Sequence, residues 1–448
     1  MPMMAAVADR VVILGAGSTG EAGAGALREL EPETPITVVE EGLVGGECSY
    51  YACMPSKALL RPPEALAAAR LVPGAAEAVT GTIDVARAFW HRDQVTGGGD
   101  DSSQERWLAD RELELVRGRA RIAGPGTVEV DGRSIAFGRL LIATGSVPQV
   151  PPIPGLDGVE YWTNREATST HEVPGRLIVI GAGPVGCELA QAFSRMGSRV
   201  TIVDVADRLL PRDHPDAGAL LADVLSSEGV ELRLGARIER VEPGVRMHLG
   251  GGSTIAADRL LVAAGRRPNV DGLGLETLGV TISKRGVEVD ERLQAAEGVW
   301  AAGDVTGIAM FTHVGKYQAR LAAAAMAGRA VRADYRAVPA VTFTDPQVAA
   351  VGDTSGEGTV MGERGSVARL STYERPKRPG FLKVFADPAR RVRVGAVAVG
   401  PEAGEWIGQL TLAIRAEVPV DVVLDTIQPY PTFSEAIQFA VRDLGLDG

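Results

Sequence analysis

The 448-residue chain is predicted to be α/β, with two Rossmann-like dinucleotide-binding domains and a separate C-terminal α+β domain. Three observations predict this. An apolar run followed by spaced glycines opens the chain at "RVVILGAGSTG", and the same pattern returns at "RLIVIGAGPVG". After about residue 338 the texture changes to alternating strands and one amphipathic helix, read from "AVTFTDPQVAAVG", "GFLKVFAD", "RVRVGAVAVG" and "GEWIGQLTLAIRAEV".

Composition narrows the function before any motif is used. Forty-five per cent apolar and 23% charged residues fit an ordinary globular protein, long enough for several buried cores. A net charge of −11 argues against nucleic acid or an anionic membrane surface as partner, because both favour basic surfaces. No apolar run approaches the ~18 residues of a membrane span, and residues 1–9 lack a basic, then apolar, leader pattern. A cytoplasmic location is therefore expected.

In the first motif, Gly15, Gly17 and Gly20 have G-x-G-x-x-G spacing. Such glycines permit a tight turn and let a pyrophosphate reach the N–H groups of a helix N-terminus. "EAGAGALREL" is helical in pattern, and the strand "PITVVE" ends at Glu40, where a carboxylate holds ribose hydroxyls. "GRLLIATGSVPQVPPIPG" is a buried strand entering a proline-rich hinge. "DRLLVAAGRRPNVDGLGLE" parallels it at 258–276, so Thr144, Gly145 and Gly265 at these strand ends join the cofactor-binding candidates. The second motif places Gly181, Gly183 and Gly186 between a strand and a helix, with Asp204 ending the next strand. Two such fingerprints imply two dinucleotides, and a flavin reduced by a nicotinamide is the natural combination. An acid at Asp204 favours NADH over NADPH, with Arg208 read as structural. "GVWAAGDVTG" sets Asp304 at another strand end, and "TSGEGTVMGERGS" (354–366) reads as a loop.

"GGECSYYACMPSK" holds two of the three cysteines, Cys48 and Cys53. Three cysteines are too few for a secreted disulfide framework. Zinc would want four ligands, but no second cysteine pair exists and all five histidines lie far off in sequence, so no metal is expected. Over five residues a regular helix rises about 7.5 Å, beyond the roughly 7 Å Cα limit of a disulfide. The pair therefore needs an irregular turn at a helix entrance, where Gly45 and Gly46 supply freedom and Lys57 would help lower a thiolate pKa. That combination suits a reducible, nucleophilic redox pair better than a passive reduced one. Cys187, on the helix after the second motif, reads as packing.

Together these residues resemble the class I pyridine nucleotide-disulfide oxidoreductases, the family of glutathione reductase, dihydrolipoamide dehydrogenase and mercuric reductase. The resemblance runs from Val11 to Glu435 and is most specific at the cysteine motif. It implies an FAD-binding domain in two parts (1–150 and 271–336), an inserted NAD(P)-binding domain (151–270) and a dimerisation domain (337–448) of a homodimer. By the same resemblance Cys53 faces the flavin as the charge-transfer thiolate and Cys48 is the interchange thiol. Lys57 and Glu188 take the place of the ion pair beside the reactive flavin nitrogen. Asp304 takes that of the carboxylate on the ribityl chain, and His313 falls beside the flavin ring or merely starts a helix.

One departure matters. Where the disulfide reductases carry H-P-x-x-x-E, this chain reads "QPYPTFSEA", with Tyr430 in the histidine position and Glu435 retained. A tyrosine of ordinary pKa is ionised only about one part in a thousand at pH 7, while positioned acid–base catalysis is worth roughly 10²–10⁴-fold. Mercuric reductase also has tyrosine there, yet this chain has no cysteine after Cys187, and Tyr50 and Ala52 replace the family's Asn and Gly. The expectation is an FAD-dependent NAD(P)H oxidoreductase passing electrons through Cys48–Cys53 to a disulfide or to another small acceptor that needs less proton shuttling. The rivals are direct flavin reduction of a quinone or metal ion, and a redox-sensing flavoprotein with little turnover.

Overall fold

The computed structural model describes residues 9–373 and 380–446; residues 1–8, most of the stretch read above for a leader pattern, lie outside them. The chain divides into two compact units. One comprises Met1–Pro55, Arg92–Gln149 and Gly265–Ala333, and the other Ser56–His91, Val150–Ala264 and Asp334–Gly448. Seven helices carry the argument: α1 (Ser18–Leu30), α2 (Gly46–Tyr50), α3 (Cys53–Leu71), α4 (Pro184–Arg195), α5 (Thr312–Met326), α6 (Ala403–Arg415) and α7 (Glu435–Arg442).

The first unit is built on a six-stranded sheet in the order 294–296, 299–301, 139–142, 11–14, 36–40, 114–117. Strand Val11–Leu14 lies at its centre, parallel to Ile36–Glu40 on one side and Arg139–Ile142 on the other. All four of its residues are at most 1% exposed, each worth about 1.5–3 kcal/mol in burial. This is why it reads as an unbroken apolar run rather than an alternating one. Helix α1 leaves the end of this strand and packs Ala24 and Leu27 into the same core as α5 residues Ala319, Ala322 and Ala323. A three-stranded antiparallel excursion, residues 120–136, is an addition that the sequence reading passed over.

The second unit repeats the plan with a four-stranded parallel sheet, ordered 231–233, 199–203, 176–180, 259–262. It too carries a three-stranded antiparallel excursion, at residues 238–256. The duplication extends to atoms. A Cβ on Gly20 would meet Gly15 O at 1.8 Å, and one on Gly186 would meet Gly181 O at 2.0 Å, so each helix enters so close to its strand that only glycine fits.

The same unit contains a five-stranded antiparallel sheet ordered 339–342, 347–352, 392–400, 381–387, 360–364, covered by α6 and α7. Here one expectation is corrected: residues 354–366 are not all loop, because Val360–Arg364 forms the edge strand, paired with Phe381–Asp387. Its polar, glycine-bearing sequence hid it. Gly362 is there because α7 crosses that edge, and a Cβ would meet Ala440 O at 1.8 Å.

Candidate active site

The glycine loop and the cysteine turn are joined by backbone. Gly45 N–H donates to Ala16 O at 2.8 Å. Gly46, at φ +61°, brings its Cα against the loop so closely that a Cβ would lie 2.8 Å from Gly17 Cα. The paired glycines before Cys48 therefore serve close approach as well as conformational freedom. Helix α2 then breaks at Tyr51 (φ −132°, ψ −4°), and α3 restarts at Cys53. This irregular turn lets two cysteines five apart meet.

Both cysteines are thiols here, hydrogen-bonded to each other. The Cys48 thiol is drawn down from its ordinary 9.0 to about 6, first by the Cys53 hydrogen bond. Burial opposes the shift; hydroxyls of Thr312 and Ser18 and the charge of Lys316 assist it. At pH 7 Cys48 is then mostly thiolate, the nucleophilic form. Thr312 Oγ1 also lies 3.4 Å from Cys53 Sγ. Cys187 is fully buried, and its pKa is pushed far up, chiefly by burial, as befits an inert packing residue.

The two nucleotide loops share their acid as well as their glycines. Glu40 accepts from Ala16 N–H at 2.6 Å and Gly42 N–H at 2.8 Å; Asp204 accepts from Ala182 N–H at 2.6 Å and Ala206 N–H at 2.7 Å. Helices α1 and α4 begin at Gly17 and Gly183 with no side-chain cap, leaving first-turn N–H groups available to an anion. The residues present thus fit two dinucleotide pyrophosphates. Arg208 donates to the carbonyl of Pro211, in agreement with a structural use.

Thr144 and Gly145 hold the neighbouring crossover: Thr144 Oγ1 donates to Asn269 O at 2.8 Å, and Gly145 O accepts from Asn269 N–H. Gly265 O accepts from Gln149 N–H. Beside them Asp304 accepts from Ser146 Oγ at 2.6 Å, while Arg266 donates to Ser146 and pairs with Glu47. Burial pushes the Asp304 carboxyl up; Ser146 and Arg266 oppose it.

In the second unit Lys57 Nζ sits 2.8 Å from Glu188 Oε2, and the other Glu188 oxygen accepts from Phe343 N–H at 2.8 Å. Lys57 also lies over the Phe343 ring. The ion pair read from the sequence is therefore formed. His313 is exposed and stacks on Phe311; its neighbour Thr312 is the residue in contact with Cys53. Tyr430 is 76% exposed in the single chain, and Glu435 accepts from Thr432 N–H at 3.3 Å.

Sequence reasoning missed Ser18, Glu21, Thr312 and Lys316. The signal was helical spacing: Thr312, Lys316 and Arg320 fall four apart on α5, and Ser18, Glu21 and Gly25 at i, i+3 and i+7 on α1. Ser18, Glu21 and Gly25 of α1 and Lys316 and Arg320 of α5 line one cavity of about 550 Å³ in the first unit.

Two tandem dinucleotide loops, one carrying a thiol pair on its backbone, define a nicotinamide-dependent flavoprotein class. Residues 9–327 match the pyridine nucleotide-disulphide oxidoreductase family, and residues 338–441 match its dimerisation domain. Mercuric reductase from Bacillus cereus is 33% identical over 455 residues, 98% of this chain and 72% of that protein. Dihydrolipoyl dehydrogenase from Thermus scotoductus is 33% identical over 456 residues, covering 97% of each. The solved copper(II) complex of the HOCl-induced flavoprotein disulfide reductase RclA from Escherichia coli superposes with a TM-score of 0.85 at 25% identity, covering 96% of this chain and 99% of that one. The chain belongs to the pyridine nucleotide-disulfide oxidoreductases, enzymes that bind FAD and use NAD(P)H. Among the described residues no helix is long and apolar enough to cross a membrane.

Proposed function

We propose that this enzyme carries electrons from NADH, or less readily NADPH, to a small disulfide acceptor through FAD and the Cys48–Cys53 pair, as a cytoplasmic homodimer. FAD, when bound, would supply two-electron chemistry between the nicotinamide and the Cys48–Cys53 disulfide. Gly15, Gly17, Gly20 and Glu40 would hold its adenosine diphosphate part, and Asp304 its ribityl chain; Gly181, Gly183, Gly186 and Asp204 would hold the nicotinamide dinucleotide. The observation that carries the reading is the thiol pair itself, brought together by the break between α2 and α3 and hydrogen-bonded sulfur to sulfur. Cys48 is the attacking thiol, and Cys53 closes the disulfide.

The test is anaerobic titration with NADH, counting thiols by alkylation, followed by a panel of disulfides, quinones and metal ions. Two new thiols per chain and rapid reoxidation by a disulfide are expected; flavin reduction with no thiol released overturns the reading. A second reading, direct reduction of a metal ion, draws on Tyr430 in the histidine position and on the mercuric reductase relatives. Cys48→Ser separates the two, because it abolishes disulfide reduction and leaves transfer that bypasses the pair intact.

A further inference from the structure

The family's histidine is missing, so the proton of thiol–disulfide interchange needs another carrier. Within the first unit, Ser18 hydrogen-bonds Cys48 and also lines the 550 Å³ cavity, which places the cavity beside the reactive sulfur. Glu21, one turn along α1 from Ser18, lines it as well, and Lys316 of α5 completes the charged lining nearest it. We propose that Glu21 carries the proton of interchange beside Cys48, giving it to the departing thiolates and taking it from Cys53, a role that rests on the disulfide-reductase reading above.

The electrostatics support the geometry. Burial pushes the Glu21 carboxyl from 4.5 to about 7, with Lys316 opposing and Cys48 and Glu40 reinforcing the rise. Tyr50 is pushed up to about 12, first by burial and then by the charges of Asp101 and Glu21, and stays neutral. Glu29 and Arg320 complete the charged residues of the cavity wall. A carboxyl near 7 is matched to proton transfer at neutral pH, as an ordinary tyrosine is not.

The step balances as follows. The Cys48 thiolate attacks one sulfur of the acceptor, its S–S bond breaks, and the departing thiolate takes the proton of Glu21. Cys53 then gives its proton to the Glu21 carboxylate and attacks Cys48 Sγ. The Cys48–Cys53 bond closes, the second thiolate leaves, and it takes that same proton. The pair loses two electrons, and the acceptor disulfide gains two to become two thiols.

The experiment compares wild type with Glu21→Gln as reduced holoenzymes, in single-turnover oxidation by two disulfides. A dialkyl disulfide releases a thiolate of ordinary basicity and needs the proton; a nitroaryl disulfide releases an acidic thiol and does not. Read as release of the first thiol, Glu21→Gln should slow the dialkyl reaction by about 10²-fold and the nitroaryl reaction by no more than about twofold. Equal slowing of both, or of neither, overturns the proposal. Lys316→Met, which removes the opposing charge, should move the upper pH limit of the dialkyl reaction upward; an unmoved limit also counts against Glu21. If NADH-reduced wild type exposes no alkylatable Cys48, the disulfide-reductase reading itself fails, an outcome distinct from the others.

Discussion

Replacing Cys53 by alanine removes the hydrogen bond that contributes most to holding Cys48 near 6, and leaves Thr312, Ser18 and Lys316 in place. A hydrogen bond to a charged group is worth about 1.5–3 kcal/mol, or about one to two pKa units at 1.36 kcal/mol each. The Cys48 midpoint should therefore rise to between about 7 and 8. At pH 7 the thiolate fraction should fall from about nine-tenths to between about a tenth and a half. The assay is the rate of iodoacetamide alkylation of Cys48 in reduced enzyme from pH 4 to 10, read by mass spectrometry of its peptide. Thr312→Val should move the midpoint in the same direction by less, because Thr312 is a smaller contributor. A Cys53→Ala profile that overlies wild type would refute the claim that the partner thiol activates Cys48, and with it the assignment of Cys48 as attacking sulfur.

Gly46→Ala forces a Cβ to within 2.8 Å of Gly17 Cα at a left-handed φ, so it should cost about 1–3 kcal/mol and loosen FAD, measured by cofactor retention on gel filtration. Lys57→Ala leaves the Glu188 carboxylate, 6% exposed, with the Phe343 N–H, and should lower urea stability by about 1–3 kcal/mol. Glu21 titrates higher in the fold than unfolded, so its stabilising contribution is complete below about pH 4 and lost as pH rises through about 7. Glu21→Gln should then be more stable than wild type at pH 8 by up to roughly 3 kcal/mol and converge with it near pH 4 in denaturant titrations. Asp204→Asn should narrow the preference for NADH, and a lower KM for NADPH at unchanged kcat in wild type would contradict the role given to Asp204.

The two nucleotide-binding units, the break between Cys48 and Cys53 and the Lys57–Glu188 pair were legible in the sequence. The first two rest on local spacing: glycines three and two apart, an apolar run of buried strand, or two cysteines too far apart for one regular helix; the ion pair, 131 residues apart in sequence, came only from the family resemblance. The strand at Val360–Arg364 was not legible, because its partner strand and the helix over Gly362, rather than its own residues, make it a strand. Helical spacing marks one face of α1 and one of α5, but no local pattern says that the two faces meet. Residues 18–21, 48–53 and 312–316 are brought together by a parallel sheet that returns the chain to the same edge after long excursions. The pKa values of Cys48 and Glu21 depend on that assembly, since desolvation and Coulomb interactions act through space between groups hundreds of residues apart.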